Sequence, residues 1–78
     1  MRRARRLSSV SDRTRLIGPR SILCFVTLRN EQPRLPYFLD YYRRMGVGHF
    51  LVVDNASTDG GHDYLAAQPD VSLWTTSE

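Results

Sequence analysis

The chain has no lysine, one cysteine, and no apolar run long enough to cross a bilayer. The lone Cys24 cannot form an intrachain disulfide, so folding does not depend on oxidation. Set inside an apolar run, it reads as a buried structural thiol. A spanning helix needs ~20 apolar residues, and the N-terminal arginines are not followed by the apolar core of a secretory signal. G-x-G-x-x-G and G-x-x-x-x-G-K-S/T are both missing, so a dinucleotide oxidoreductase or a P-loop enzyme has no motif support. G-x-S-x-G is missing too, so Ser57 has no nucleophile-elbow context. His49 and His62 show no metal-ligand spacing with Cys24 or with each other, and read as surface or capping residues.

All eleven basic residues are therefore arginine. Seven of them lie in residues 1–20 against one acid, Asp12. The remaining 58 residues are mildly acidic, with four arginines against seven acids. The basicity is that of a tail, and the body does not look like a nucleic-acid-binding domain. Residues 1–20 read as a disordered, solvated Arg-rich leader, closed by Gly18-Pro19. Weak adhesion of that leader to anionic lipid is the other reading. With 41% hydrophobic residues the rest is globular, though a chain of 78 residues buries only a modest core.

Periodicity divides residues 21–78 into alternating elements. Ser21 to Leu28 is a continuous apolar run, which predicts a strand buried on both faces. From Arg34 to Met45 the spacing of Leu35, Phe38, Leu39, Tyr42 and Met45 predicts one apolar face of a helix. Pro36 suits its first turn and Gly46 its C′ position. Phe50 to Val53 is a second strand, Gly61 to Ala67 a short helix with Tyr64 and Leu65 inward, and Val71 to Thr75 a third strand. The expected class is α/β, a parallel sheet with a β-α-β-α-β order and an open edge.

In such sheets ligands bind at the carboxyl ends of the strands. The first rim offers Thr27, Arg29, Asn30 and Glu31, and the second Asp54 and Asn55. Arg29 has the planar fork that meets a phosphate, and is equally an ordinary loop charge. Asp54 is placed to accept a hydrogen bond from a base or sugar, or to bond its own turn. Asp59, or Ser57, is a good cap for the helix that follows.

The two rims also carry a resemblance. Arg29-Asn30-Glu31, Leu35-Pro36-Tyr37-Phe38-Leu39-Asp40-Tyr41-Tyr42-Arg43 and Gly46-Val47 follow an R-N-E-x-x-x-L-P-Y-F-L-x-Y-Y-R-x-x-G-V pattern. Val53-Asp54-Asn55-Ala56-Ser57-Thr58-Asp59-Gly60 follows V-D-D/N-x-S-x-D-G. On these motifs residues 21–78 resemble the start of a family 2 glycosyltransferase. The resemblance implies a GT-A fold, a Rossmann-like α/β sandwich. It also implies a nucleotide-sugar donor whose nucleobase and ribose lie against Thr27, Arg29, Asn30, Glu31, Asp54 and Asn55. Many relatives stack an aromatic on the base near the position of Arg29, and none stands there in this sequence.

The family's metal-binding D-x-D and its catalytic base lie beyond its third strand, and no D-x-D occurs in these residues. The expectation is therefore the incomplete, donor-binding portion of a transferase. It has no catalytic residue of its own, and no cofactor within the chain. Mg²⁺ or Mn²⁺ belongs to the full-length enzyme. The missing C-terminal half or a partner chain, and no nucleic acid, would complete it. The expected location is the cytoplasm, at most peripheral to the inner face of a membrane. The alternative is a non-catalytic nucleotide-binding or interaction module that uses an open sheet edge.

Overall fold

Strand-forming and helix-forming runs alternate along the chain as their periodicity requires, with one addition at the front. A computed structural model describes residues 6–77. Its elements are β1 (Arg6–Ser11), β2 (Ile22–Leu28), α1 (Leu35–Arg44), β3 (Val47–Asp54), α2 (Gly61–Ala66) and β4 (Val71–Ser77). Single 3-10 turns precede β2 and α1, at Thr14–Leu16 and Gln32–Arg34. The four strands form one mixed sheet in the order β1-β4-β3-β2. β2, β3 and β4 run parallel, and β1 joins β4 antiparallel. The class is α/β, as expected.

The described part of residues 1–20 differs from the disordered leader expected there. Residues 1–5 lie outside the described residues, but residues 6–11 are a strand and not a disordered leader. The physical reason is the unpaired edge that β4 would otherwise present. β1 covers it, with Leu7 opposite Thr76 and Ser9 opposite Trp74, and a bulge before Ser11. Arg13 fastens the connection. Its Nη1 donates to Ser11 Oγ at 2.6 Å and to the Val71 carbonyl at 3.2 Å, its Nη2 to the Ala66 carbonyl at 3.1 Å, and its amide to Ser72 Oγ at 2.9 Å.

The two faces of the sheet are covered unequally, against the expectation for β2. Phe50, Val52, Val71 and Leu73 share one face, on which Leu35 and Leu39 of α1 and Leu65 of α2 pack, all buried. Both helices therefore lie on one side, giving two layers, not a three-layer sandwich, among the described residues. β2 is accordingly not buried on both faces. Cys24, Val26 and Leu28 turn to the helices, while Leu23 and Phe25 face away, Phe25 with 77% of its surface exposed. The Cys24 thiol is half-buried, and desolvation pushes its pKa up.

The amphipathic reading of α1 holds for Leu35, Leu39 and the half-buried Phe38, but Tyr42 stays 37% exposed at the margin of that face, and Met45 is exposed because the helix has ended at Arg44. Gly46 follows at φ +103°, a conformation costly for any residue with a Cβ. His49 is not on the surface. It is buried, and its Nε2 lies 2.8 Å from Ser72 Oγ. Ser72 also accepts the Arg13 amide, so this pair ties β3 and β4 to the segment after β1.

The end of α1 is pinned to the start of β4 by one ion pair. Arg43 Nε and Nη2 donate to the two carboxylate oxygens of Asp70 at 2.7 and 2.6 Å. This bidentate guanidinium holds the Asp70 carboxyl below the usual carboxylate range. A depressed folded pKa contributes stability above about pH 4 that is lost as pH falls through the folded value. The urea midpoint is expected to fall below about pH 4, and Asp70→Asn to flatten that part of the profile. An unchanged acid limb in Asp70→Asn would assign the acid sensitivity to other carboxylates.

Candidate functional site

Parallel β2 and β3 end side by side, Leu28 opposite Asp54, so their two rim loops emerge together. Asn55 donates its amide to the Leu28 carbonyl at 2.8 Å, extending the ladder by one step. The loops are then cross-linked by side chains. Asn30, at φ +53°, donates its amide to Ser57 Oγ at 2.8 Å, and its Oδ1 accepts the Thr58 amide at 2.8 Å. Asp59 accepts the Gln32 amide on one oxygen and the Gly61 amide on the other, both at 3.0 Å. These backbone donors hold the Asp59 carboxyl below its ordinary range. The N-cap position of α2 is Gly60, with no side-chain cap, so Asp59 is not the cap expected; it takes up the Gly61 amide from one residue further out and staples the two loops at once. Ala56, at φ +54°, stores strain in the same turn, of order 1–3 kcal/mol.

Asp54 stands at the centre of this rim, fully buried. Its Oδ1 accepts the Ser57 hydroxyl. Its Oδ2 is buried without a hydrogen-bond partner. His62 Nδ1 stands 3.4 Å from Oδ2, on a ring 35% exposed in the first turn of α2. The turn-forming and ligand-accepting readings of Asp54 therefore fall on different oxygens. One secures the turn, and the other is held with unused accepting capacity.

A second feature lies beside β2. A cleft of about 420 Å³ is walled by Leu35 and Phe38 of α1 and rimmed by Thr27, Arg29, Glu31 and Arg34. Arg34 Nε lies 3.7 Å from Glu31 Oε2, both side chains well exposed, so the pair contributes little.

The six residues expected at the site separate into two groups. Thr27, Arg29 and Glu31 line the cleft. Asn30, Asp54 and Asn55 belong to the cross-linked rim, and Asn55 Oδ1 is drawn toward β4, accepting the Thr76 hydroxyl at 2.9 Å. Three further residues were not legible as site residues. Arg34 and Phe38 reach the cleft only because α1 folds back beside β2. His62 meets Asp54 only because Gly60, at φ +90°, turns the chain back over the rim. Among the described residues, no three His, Cys, Asp or Glu side chains come together as a metal site. No helix among them is long and apolar enough to cross a membrane. Compared with models of known families, with curated proteins and with solved structures, the chain matches none.

Proposed function

We propose that the chain binds the nucleotide of a nucleotide-sugar, as the opening, donor-binding portion of a family 2 glycosyltransferase. The single observation that carries this reading is Asp54. A fully buried carboxylate keeps one oxygen without a partner at the carboxyl rim of parallel strands. Buried polar atoms are nearly always satisfied, and an exception calls for a physical reason, of which a ligand-binding role is one. A nucleobase N–H would complete Oδ2 once the His62 ring turns aside. Arg29 and Arg34 at the mouth of the cleft are the groups to meet phosphate, and Phe38 gives it an apolar wall.

In this reading β2-α1-β3-α2-β4 is the first part of a GT-A, Rossmann-like sandwich. The chain acts in the cytoplasm, its Arg-rich start at most loosely attached to the inner face of a membrane. A divalent ion on the diphosphate would neutralise the leaving group in the complete enzyme. The described residues offer no ligand set for it. No transferase turnover is expected of this chain alone.

The test is a titration with uridine, guanosine and adenosine diphosphates, followed by amide NMR. One of them is expected to bind weakly and to shift resonances in 27–31 and 54–62 together. No response at millimolar ligand, or shifts confined to other elements, would sink the reading. The alternative, an interaction module with an open edge, draws on the exposure of Phe25.

A further inference from the structure

The sheet has two edges, and they are defended differently. β1 is Ser-rich and carries a bulge between Ser9 and Ser11, which spoils it as a template. β2 has no such defence. Ile22-Leu23-Cys24-Phe25-Val26-Thr27-Leu28 contains no charge, proline or glycine, and among the described residues it is the outermost strand. Its Leu28 carbonyl accepts from Asn55 on the β3 side. Alternation then turns the N–H and C=O groups of Leu23, Phe25 and Thr27 outward. The same three side chains stand on the helix-free face.

We infer that β2 pairs antiparallel with β2 of a second copy of this chain, about a twofold axis at Phe25. The inference does not rest on nucleotide binding. About that axis Phe25 faces Phe25 of the second copy and Leu23 faces Thr27, so every outward backbone group finds a partner. No other centre within the strand pairs all three. Because the strand is uncharged, no like charges meet within it. The twofold puts the two helix layers on one side of an extended sheet and the two Phe25 rings together on the other.

The area fits a reversible dimer. Phe25 is 77% exposed, Ile22 57% and Leu23 41%. With Tyr41, which shares the flank of α1 that holds Phe38 and is 58% exposed, they supply several hundred Å² per copy, given ~150–250 Å² for an aromatic. A standard interface buries about 800 Å² per partner and weak, transient contacts bury less, so the contact falls below the standard class, among the weak ones. The bulged β1 edge prevents further addition, so association closes at two copies.

Sedimentation equilibrium of the chain from micromolar to millimolar concentration tests this. The expected result is a reversible rise from 9.0 kDa to twice that mass. Phe25→Lys, at an exposed position, is expected to keep its circular dichroism and weaken the dimer at least about tenfold. Register has its own readout. In a Cys24→Ser background, Phe25→Cys is expected to cross-link on mild oxidation, since facing Cα atoms lie about 5.5 Å apart. Leu23→Cys in the same background is not, because the two copies of position 23 are about 14 Å apart. A monomer at every concentration overturns the inference and leaves the edge to a strand of another protein. So does a dimer indifferent to Phe25→Lys, open-ended association, or cross-linking at 23 in preference to 25.

Discussion

Arg13→Ala is expected to lower the unfolding free energy by about 2–4 kcal/mol. The guanidinium of Arg13 donates to the Val71 and Ala66 carbonyls and to Ser11 Oγ, in a half-buried position. The Ala66 carbonyl belongs to the last turn of α2, where no intrahelical partner is available. Hydrogen bonds to a charged donor are worth about 1.5–3 kcal/mol each and do not add fully. A chain of 78 residues has a total stability of about 4–12 kcal/mol, so the loss is a large fraction of it. Arg13→Lys should recover only part, because one ammonium cannot span three acceptors as a fork does. Urea unfolding gives the magnitude, and limited trypsin digestion gives the location. Cleavage after Arg6, after position 13 and after Arg15 should accelerate in Arg13→Lys as β1 peels from β4, before the body unfolds. If Arg13→Ala has the wild-type midpoint, β1 is not held by this residue.

The same arginine explains where sequence reading stopped. Residues 21–77 were legible because their signals are local. The Phe50–Val53 run, the Leu35/Leu39 spacing, Gly46 and the Gln68-Pro69-Asp70 break each act within a few residues of themselves. β1 has no such signal. Arg6-Leu7-Ser8-Ser9-Val10-Ser11 is a strand because β4, more than 60 residues away in sequence, needs a partner on that side. Its charge and serine content, read locally, describe a solvated tail. The one-sided burial of β2 was hidden for a related reason. An apolar run shows that a strand is apolar on both faces, and only the helix positions show whether both are covered.

At the rim the outcome is similar. Spacing singles out Asp54 and Asp59, because a carboxylate that ends a strand and one that precedes a helix have position-specific chemistry. That Asn30 clamps Ser57 and Thr58 across two loops, 27 and 28 residues apart, is a tertiary fact with no local trace.

Asp54→Asn separates the two roles that meet at this residue, because the expected effects have opposite signs. In the folded chain the carboxylate satisfies the Ser57 hydroxyl with Oδ1 and leaves Oδ2 buried and unpartnered. An asparagine can keep the first contact through its carbonyl. Its amide then replaces the orphaned acceptor with a donor facing His62 Nδ1, which is able to accept in one of its tautomers. A buried charge is removed and an unmet polar atom is met, so stability should hold or rise by about 1 kcal/mol. Nucleotide binding should move the other way. An acceptor for a base N–H becomes a donor pointed at a donor, and loss of a hydrogen bond to a charged group weakens binding by about 10–100-fold. His62→Ala provides the complement. Removing the ring that stands 3.4 Å from Oδ2 should leave binding intact or improve it, since the ring must turn aside for the base to enter. A carboxylate that served only the turn would give another pattern. Asp54→Asn would then change stability alone, and any nucleotide would bind it as well as the wild type.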